Sequence, residues 1–151
     1  MTIEIVYPKG LMRVDLEKFF PTSQKACKRL LAIIDMDRQH KDEIIQSIIL
    51  WMAEERGLCE QLAKEYANKY VDIKQSIWEA DAKVQRMEEY LDSVAAWKKT
   101  PEYKRFKKKF IEVQNEYRHL KSLESSYNSS FKRHLARKEK LQRNIEIMRG
   151  V

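Results

Sequence analysis

Three glycines, three prolines and two cysteines in 151 residues leave this chain with few points at which a backbone is broken or cross-linked. All six glycines and prolines except Gly57 fall at plausible element edges. Cys27 and Cys59 lie far apart, with neither disulfide-framework nor metal-type spacing, so a reduced, cytoplasmic setting is expected. Long apolar runs are missing too: the longest is Ile48–Ala53, and mean hydropathy is −0.67, which excludes a membrane-spanning helix. No charged, apolar, small-residue leader follows Met1, so no secretory signal is expected. There is no Gly-rich phosphate loop, no Ser-His-Asp order and no Cys-x-x-Cys pair. The expectation is a protein that is not an enzyme, with no cofactor, no metal and no small-molecule substrate.

Charge is what the chain has in excess. Of its residues 35% are charged, and the net charge is +7. Residues 1–100 hold 16 Lys and Arg against 17 Asp and Glu, a balance of −1, whereas residues 101–151 hold 14 against 6, a balance of +8. The surplus therefore belongs to the last third of the sequence.

Two apolar stripes at alternating spacings of three and four dominate the pattern. One runs from Ile45 through Met52, Cys59, Tyr66, Ile73, Ile77, Val84 and Leu91 to Val94. The other runs from Tyr103 through Phe110, Tyr117, Tyr127, Phe131 and Leu141 to Met148. Each keeps heptad phase for about seven heptads, which favours a coiled coil, and each makes a rod of roughly 70 Å. Between them, Thr100 can cap a helix, Pro101 suits the first helical position and Glu102 suits the positive end of the helix dipole. Two rods of equal length and a short polar join predict an antiparallel hairpin. With the turn near residues 98 and 99, facing residues have numbers summing to about 197, as in Leu91 with Phe106, Val84 with Val113 and Tyr66 with Phe131. Gly57 costs about 1 kcal/mol inside a helix, yet heptad phase runs through it, so the helix is expected to continue.

Upstream, Thr2–Tyr7 and Leu11–Leu16 flank Pro8-Lys9-Gly10 and read as a β-hairpin. Thr22 or Ser23 can cap a short helix reaching about Asp35, and Asp35-Met36-Asp37 offers a cap for the next. The segment Ile44–Met52 is apolar nearly all round and so should be covered on all sides. The predicted fold is mainly α: an antiparallel helical hairpin over 38–151, a coiled-coil stalk, with a small head of β-hairpin and short helix over 1–37 packed on its base as one folding unit.

Surface patterns supply the functional expectations. Lys104, Arg105, Lys108, Arg118, Lys132, Arg133, Lys140 and Arg143 fall on the outer face of the last helix, interleaved with Ser122, Ser125, Ser126 and Ser129. Such a face either tracks phosphates by counterion release or simply keeps a rod solvated. Trp78, Val71 and Ile111 lie off the seam and, with Phe19 and Phe20, form the expected oligomer or partner surface. A homodimer whose hairpins form a four-helix bundle is expected.

Three polar features of the seam carry weaker readings. Cys59 faces the level of His134 and invites a nucleophile-base pair, but no orienting residue or oxyanion donor accompanies them, so a local splaying of the seam accounts for them better. Glu124, opposite Ile73, should be reached by Lys69 or Lys74, or else its pKa rises. Glu116-x-x-His119 matches the di-iron helical spacing, but with one copy and both ligands off the seam it reads as chance. Two functions follow: a dimeric, non-enzymatic helical protein whose basic last helix binds nucleic acid, a nucleoprotein complex or another polyanion, or a protein-only adaptor or small inhibitor that works through its apolar N-terminal head.

Overall fold

A computed structural model describes residues 1–17, 23–37, 39–94 and 100–150. The expected turn around residues 98 and 99, the aromatic pair Phe19 and Phe20, and the alternative cap Thr22 lie outside these. The described chain contains β1 (Thr2–Tyr7), β2 (Gly10–Asp15), α1 (Gln24–Ile34), α2 (Lys41–Ser93) and α3 (Pro101–Arg149). The two long helices pack against each other as an antiparallel hairpin. No helix among the described residues is long and apolar enough to cross a membrane.

The helix boundaries have local chemical causes. Ser23 is the N-cap of α1, its hydroxyl accepting the Ala26 N–H at 3.1 Å. Thr100 does the same for α3, accepting the Tyr103 N–H at 3.2 Å, and Pro101 follows at the first helical position. Asp42 and Glu43 occupy the first turn of α2, where the dipole favours acids. Gly57 does not interrupt α2: it sits exposed in the helix, and a Cβ built there meets no atom within 4 Å. Gly57→Ala is therefore expected to raise the unfolding free energy by about 1 kcal/mol, measured by urea denaturation, because alanine loses less backbone entropy and collides with nothing.

By packing, the chain forms two compact units, one of Met1–Ala63 with Lys132–Val151 and one of Lys64–Phe131. The first unit holds β1, β2, α1, the start of α2 and the end of α3. In the sheet, Tyr7 pairs with Gly10 across the two-residue turn Pro8-Lys9. That pair must exchange hydrogen bonds, so by alternation Ile5 with Met12 and Ile3 with Val14 do too. The Leu16 N–H bond to the Met1 carbonyl at 2.8 Å keeps the same alternation. The backbone groups of Thr2, Glu4 and Val6 then point away on one edge and those of Leu11 and Arg13 on the other. On the faces, Ile3, Ile5, Val14 and Leu16 are buried, while Glu4 pairs with Arg13 at 3.2 Å on the solvent side. The buried face joins Leu30 and Ile34 of α1, Ile45, Ile48 and Met52 of α2, and Leu141, Ile145 and Met148 of α3 in one core. Leu50 is the exception to the expected all-round cover. It is 65% exposed, because the sheet, α1 and α3 leave that line of α2 to solvent.

Asp37 ties this unit together. Its buried carboxylate accepts the Val6 N–H at 2.7 Å through Oδ2, and those of Gln39 at 2.7 Å and His40 at 2.6 Å through Oδ1. One side chain thus closes the β1 edge at Val6 and satisfies donors just ahead of α2. The Val6 N–H and then the His40 N–H hold the Asp37 carboxyl below its ordinary value, against the opposing effect of burial, with the Gln39 N–H and the His40 ring adding to the depression.

Within the first unit, Arg137 reaches Glu55 at 3.4 Å, Lys138 reaches Glu60 at 3.6 Å, and Arg56 hydrogen-bonds Gln142. Within the second, the rings of Tyr90 and Phe106 lie 4.7 Å apart and those of Tyr66 and Tyr127 6.2 Å apart. The residue numbers of these pairs sum to values from 192 to 198, close to the expected register near 197. Ile73 and Ile77 are the most buried seam residues of the second unit. Glu124 is served differently from expectation: its partner is Lys121 on its own helix, at 3.5 Å. Lys69 lies 5.2 Å from the ring centre of Tyr66 and Lys74 lies 4.4 Å from that of Tyr70, so both spend their charge on aromatic faces.

Candidate functional site

In the first unit, basic side chains come from two elements. On α3, Lys132, Arg133, Lys140 and Arg143 are exposed. On α1, Lys25, Lys28 and Arg29 are exposed, and the helix contains no acid. The two helices meet where the Cys27 thiol donates to the Asn144 carbonyl at 3.7 Å. Beside that contact is a cleft of about 310 Å³ lined by Ser23, Gln24, Lys140, Arg143 and buried Asn144, with no acidic residue among them. Arg143 is loosely engaged by Glu139 at 3.8 Å, both side chains well exposed, and such a pair is worth little. Arg137 and Lys138, by contrast, are committed to carboxylates of α2.

In the second unit, Lys104, Arg105, Lys108 and Arg118 are exposed on α3. Among the described residues these four, together with Lys132 and Lys140 of the first unit, enter no ion pair. Of the expected apolar surface, Trp78 is 68% exposed and Val71 65%, both on α2, and Ile111 is 47% exposed on α3.

The cations of α1 were passed over at the sequence level, although the signal was there. Residues 18–34 contain Lys18, Lys25, Lys28 and Arg29 and no acid. The near-neutral total for residues 1–100 hides this local excess, because the acids that cancel it lie elsewhere.

The pairing of Cys59 with His134 and that of Glu116 with His119 find no supporting geometry among the described residues. Cys59 is buried, and its thiol makes no hydrogen bond among the described residues, to His134 or to any other group. Burial pushes its thiol up, more than the neighbouring Arg137 pulls it down, and Glu55 adds to the rise. Cys27 is raised by burial alone. Both are protonated at neutral pH and poor nucleophiles. Glu116 and His119 are both exposed, and no group of three or more His, Cys, Asp or Glu among the described residues is arranged to hold a metal. Comparison with protein-family models, with curated proteins and with solved structures finds no match.

Proposed function

We propose that this chain is a dimeric, non-enzymatic helical interaction protein of the cytoplasm whose basic surface binds a polyanion, nucleic acid first among them. The observation that carries the reading is the cleft of the first unit, where Lys140 and Arg143 of α3 stand beside the start of α1 and no acid is among the lining residues. Lys25, Lys28 and Arg29 on the exposed side of α1 extend the positive field. A phosphate chain laid on such a surface releases its counterions and gains charge-assisted hydrogen bonds, without any reading of base sequence.

The test is binding of the full chain to a fluorescently labelled DNA duplex over a range of salt. With about five cations engaged, affinity should fall with a log-log slope near −4.5. Lys140→Gln combined with Arg143→Gln should weaken binding about tenfold at moderate salt and flatten the slope by about 2. Binding that ignores salt, or a double variant that binds like the original, overturns the reading.

A second reading, a protein-only adaptor, is favoured by the β2 edge. The outward backbone groups of Leu11 and Arg13 have no partner among the described residues, and Leu11 is 51% exposed. A partner strand can add there by main-chain pairing. Partner capture that survives nuclease and the loss of Lys140 and Arg143 would favour this second function.

A further inference from the structure

The second unit has two unlike sides, and one of them is built from complementary lines. Along α2, Val71, Trp78, Gln85 and Asp92 recur every seven residues and are all exposed. Along α3, Lys104, Ile111, Arg118 and Ser125 recur in the same way and are also all exposed. In an antiparallel pair, positions displaced in the same sense from both seams lie on one side of the hairpin, so these two lines share a side. The contact between Tyr90 and Phe106 fixes the height of the helices in this unit. By that measure Asp92 is level with Lys104, Gln85 with Ile111, and Trp78 with Arg118. Within one chain these pairs do not close: Asp92 and Lys104 form no ion pair with each other or with any other residue among those described.

We propose that a second copy of this chain docks on that side, its α3 lying along the α2 of the first copy about a two-fold axis parallel to the helices. The operation keeps every residue at its own height and exchanges the helices, so each level pair closes across the interface, and closes twice. Asp92 meets the partner copy's lysine at position 104. Trp78 receives a guanidinium over its indole face, and the Gln85 methylenes cover Ile111. Charge complementarity extends along the lines, since α2 carries Asp81, Glu88 and Asp92 near its end while the charged members of the α3 line, Lys104 and Arg118, are both cations. A face roughly 30 Å long and two helices wide buries about 1,200 Å² in total, at the lower bound for a specific interface.

The inference rests on the dimeric part of the proposed function. It also separates the cations: Lys104 and Arg118 belong to the dimer, while Lys140 and Arg143 are left for the polyanion.

Sedimentation equilibrium of the full chain, without nucleic acid, tests it. The expected result is a dimer at about 10 to 100 μM that Trp78→Lys converts to a monomer with unchanged helical circular dichroism. Asp92→Lys alone and Lys104→Asp alone should each weaken association about tenfold, and the two together should restore it to within about threefold. Lys140→Gln with Arg143→Gln should leave the mass dimeric, so loss of DNA binding and loss of the dimer are read apart. A monomeric original chain, a dimer indifferent to Trp78→Lys, or a charge swap that fails to restore association overturns the proposal.

Discussion

Ile48→Ala is expected to lower the unfolding free energy by about 3 kcal/mol, whereas Leu50→Ala, two positions along the same helix, should change it by less than about 0.5 kcal/mol. Both replace a branched aliphatic side chain with the best helix former, so propensity does not distinguish them. Burial does: Ile48 is 0% exposed and Leu50 is 65% exposed. Ile48 belongs to a core to which β1, β2, α1, α2 and α3 all contribute, and removing three of its carbons leaves a void bounded by elements that cannot all close in at once. Urea titrations of the two variants decide it. Equal losses would mean that the apolar segment Ile44–Met52 is covered all round after all, as its composition alone suggests.

Asp37→Asn should lower the melting temperature by roughly 5 to 10 °C, a large effect for a substitution that preserves size and shape. The reason is acceptor geometry. Asp37 uses Oδ2 for Val6 and Oδ1 for Gln39 and His40. An asparagine has one acceptor oxygen, so either the strand edge or the pair of donors ahead of α2 faces an NH2 group that donates. The original carboxylate also predicts a pH dependence. Its folded pKa lies below the ordinary 3.8, so the unfolded chain takes up protons first. Its contribution is therefore complete above about pH 4 and fades as pH falls through the lower, folded pKa. Melting temperatures measured from pH 7 to pH 2 should drop at the acid end in the original chain and drop less in Asp37→Asn. Parallel acid profiles would place the loss elsewhere.

Asp37 also marks where sequence reading stops. The long helices were legible because their information is local and repeated: a Thr-Pro start, unbroken heptad phase through Gly57, and seam residues whose numbers add to a constant. The β-hairpin and the Ser23 cap were legible for the same reason. Asp37 reads only as a helix cap, since nothing near it in sequence announces that Val6, thirty-one residues earlier, donates to it. Glu124 failed in the opposite direction. A carboxylate on the seam suggested a cation from the facing helix, but Lys121, three residues away, pairs with it while the facing lysines lie over tyrosine rings. The exposed basic face of α3 follows from the heptad pattern alone. Its convergence with α1 does not, because that depends on how an eleven-residue helix lies against a distant stretch of chain.

The two cysteines carry a consequence for how the protein ages. Both thiols are enclosed within the first unit and held protonated there. An oxidant in the surrounding medium meets no thiolate on the folded surface, and damage proceeds only through moments when the unit opens. The pace of irreversible cysteine modification is then set by the protein's own breathing, and a chain whose thiols have been oxidised is one whose first unit had already opened.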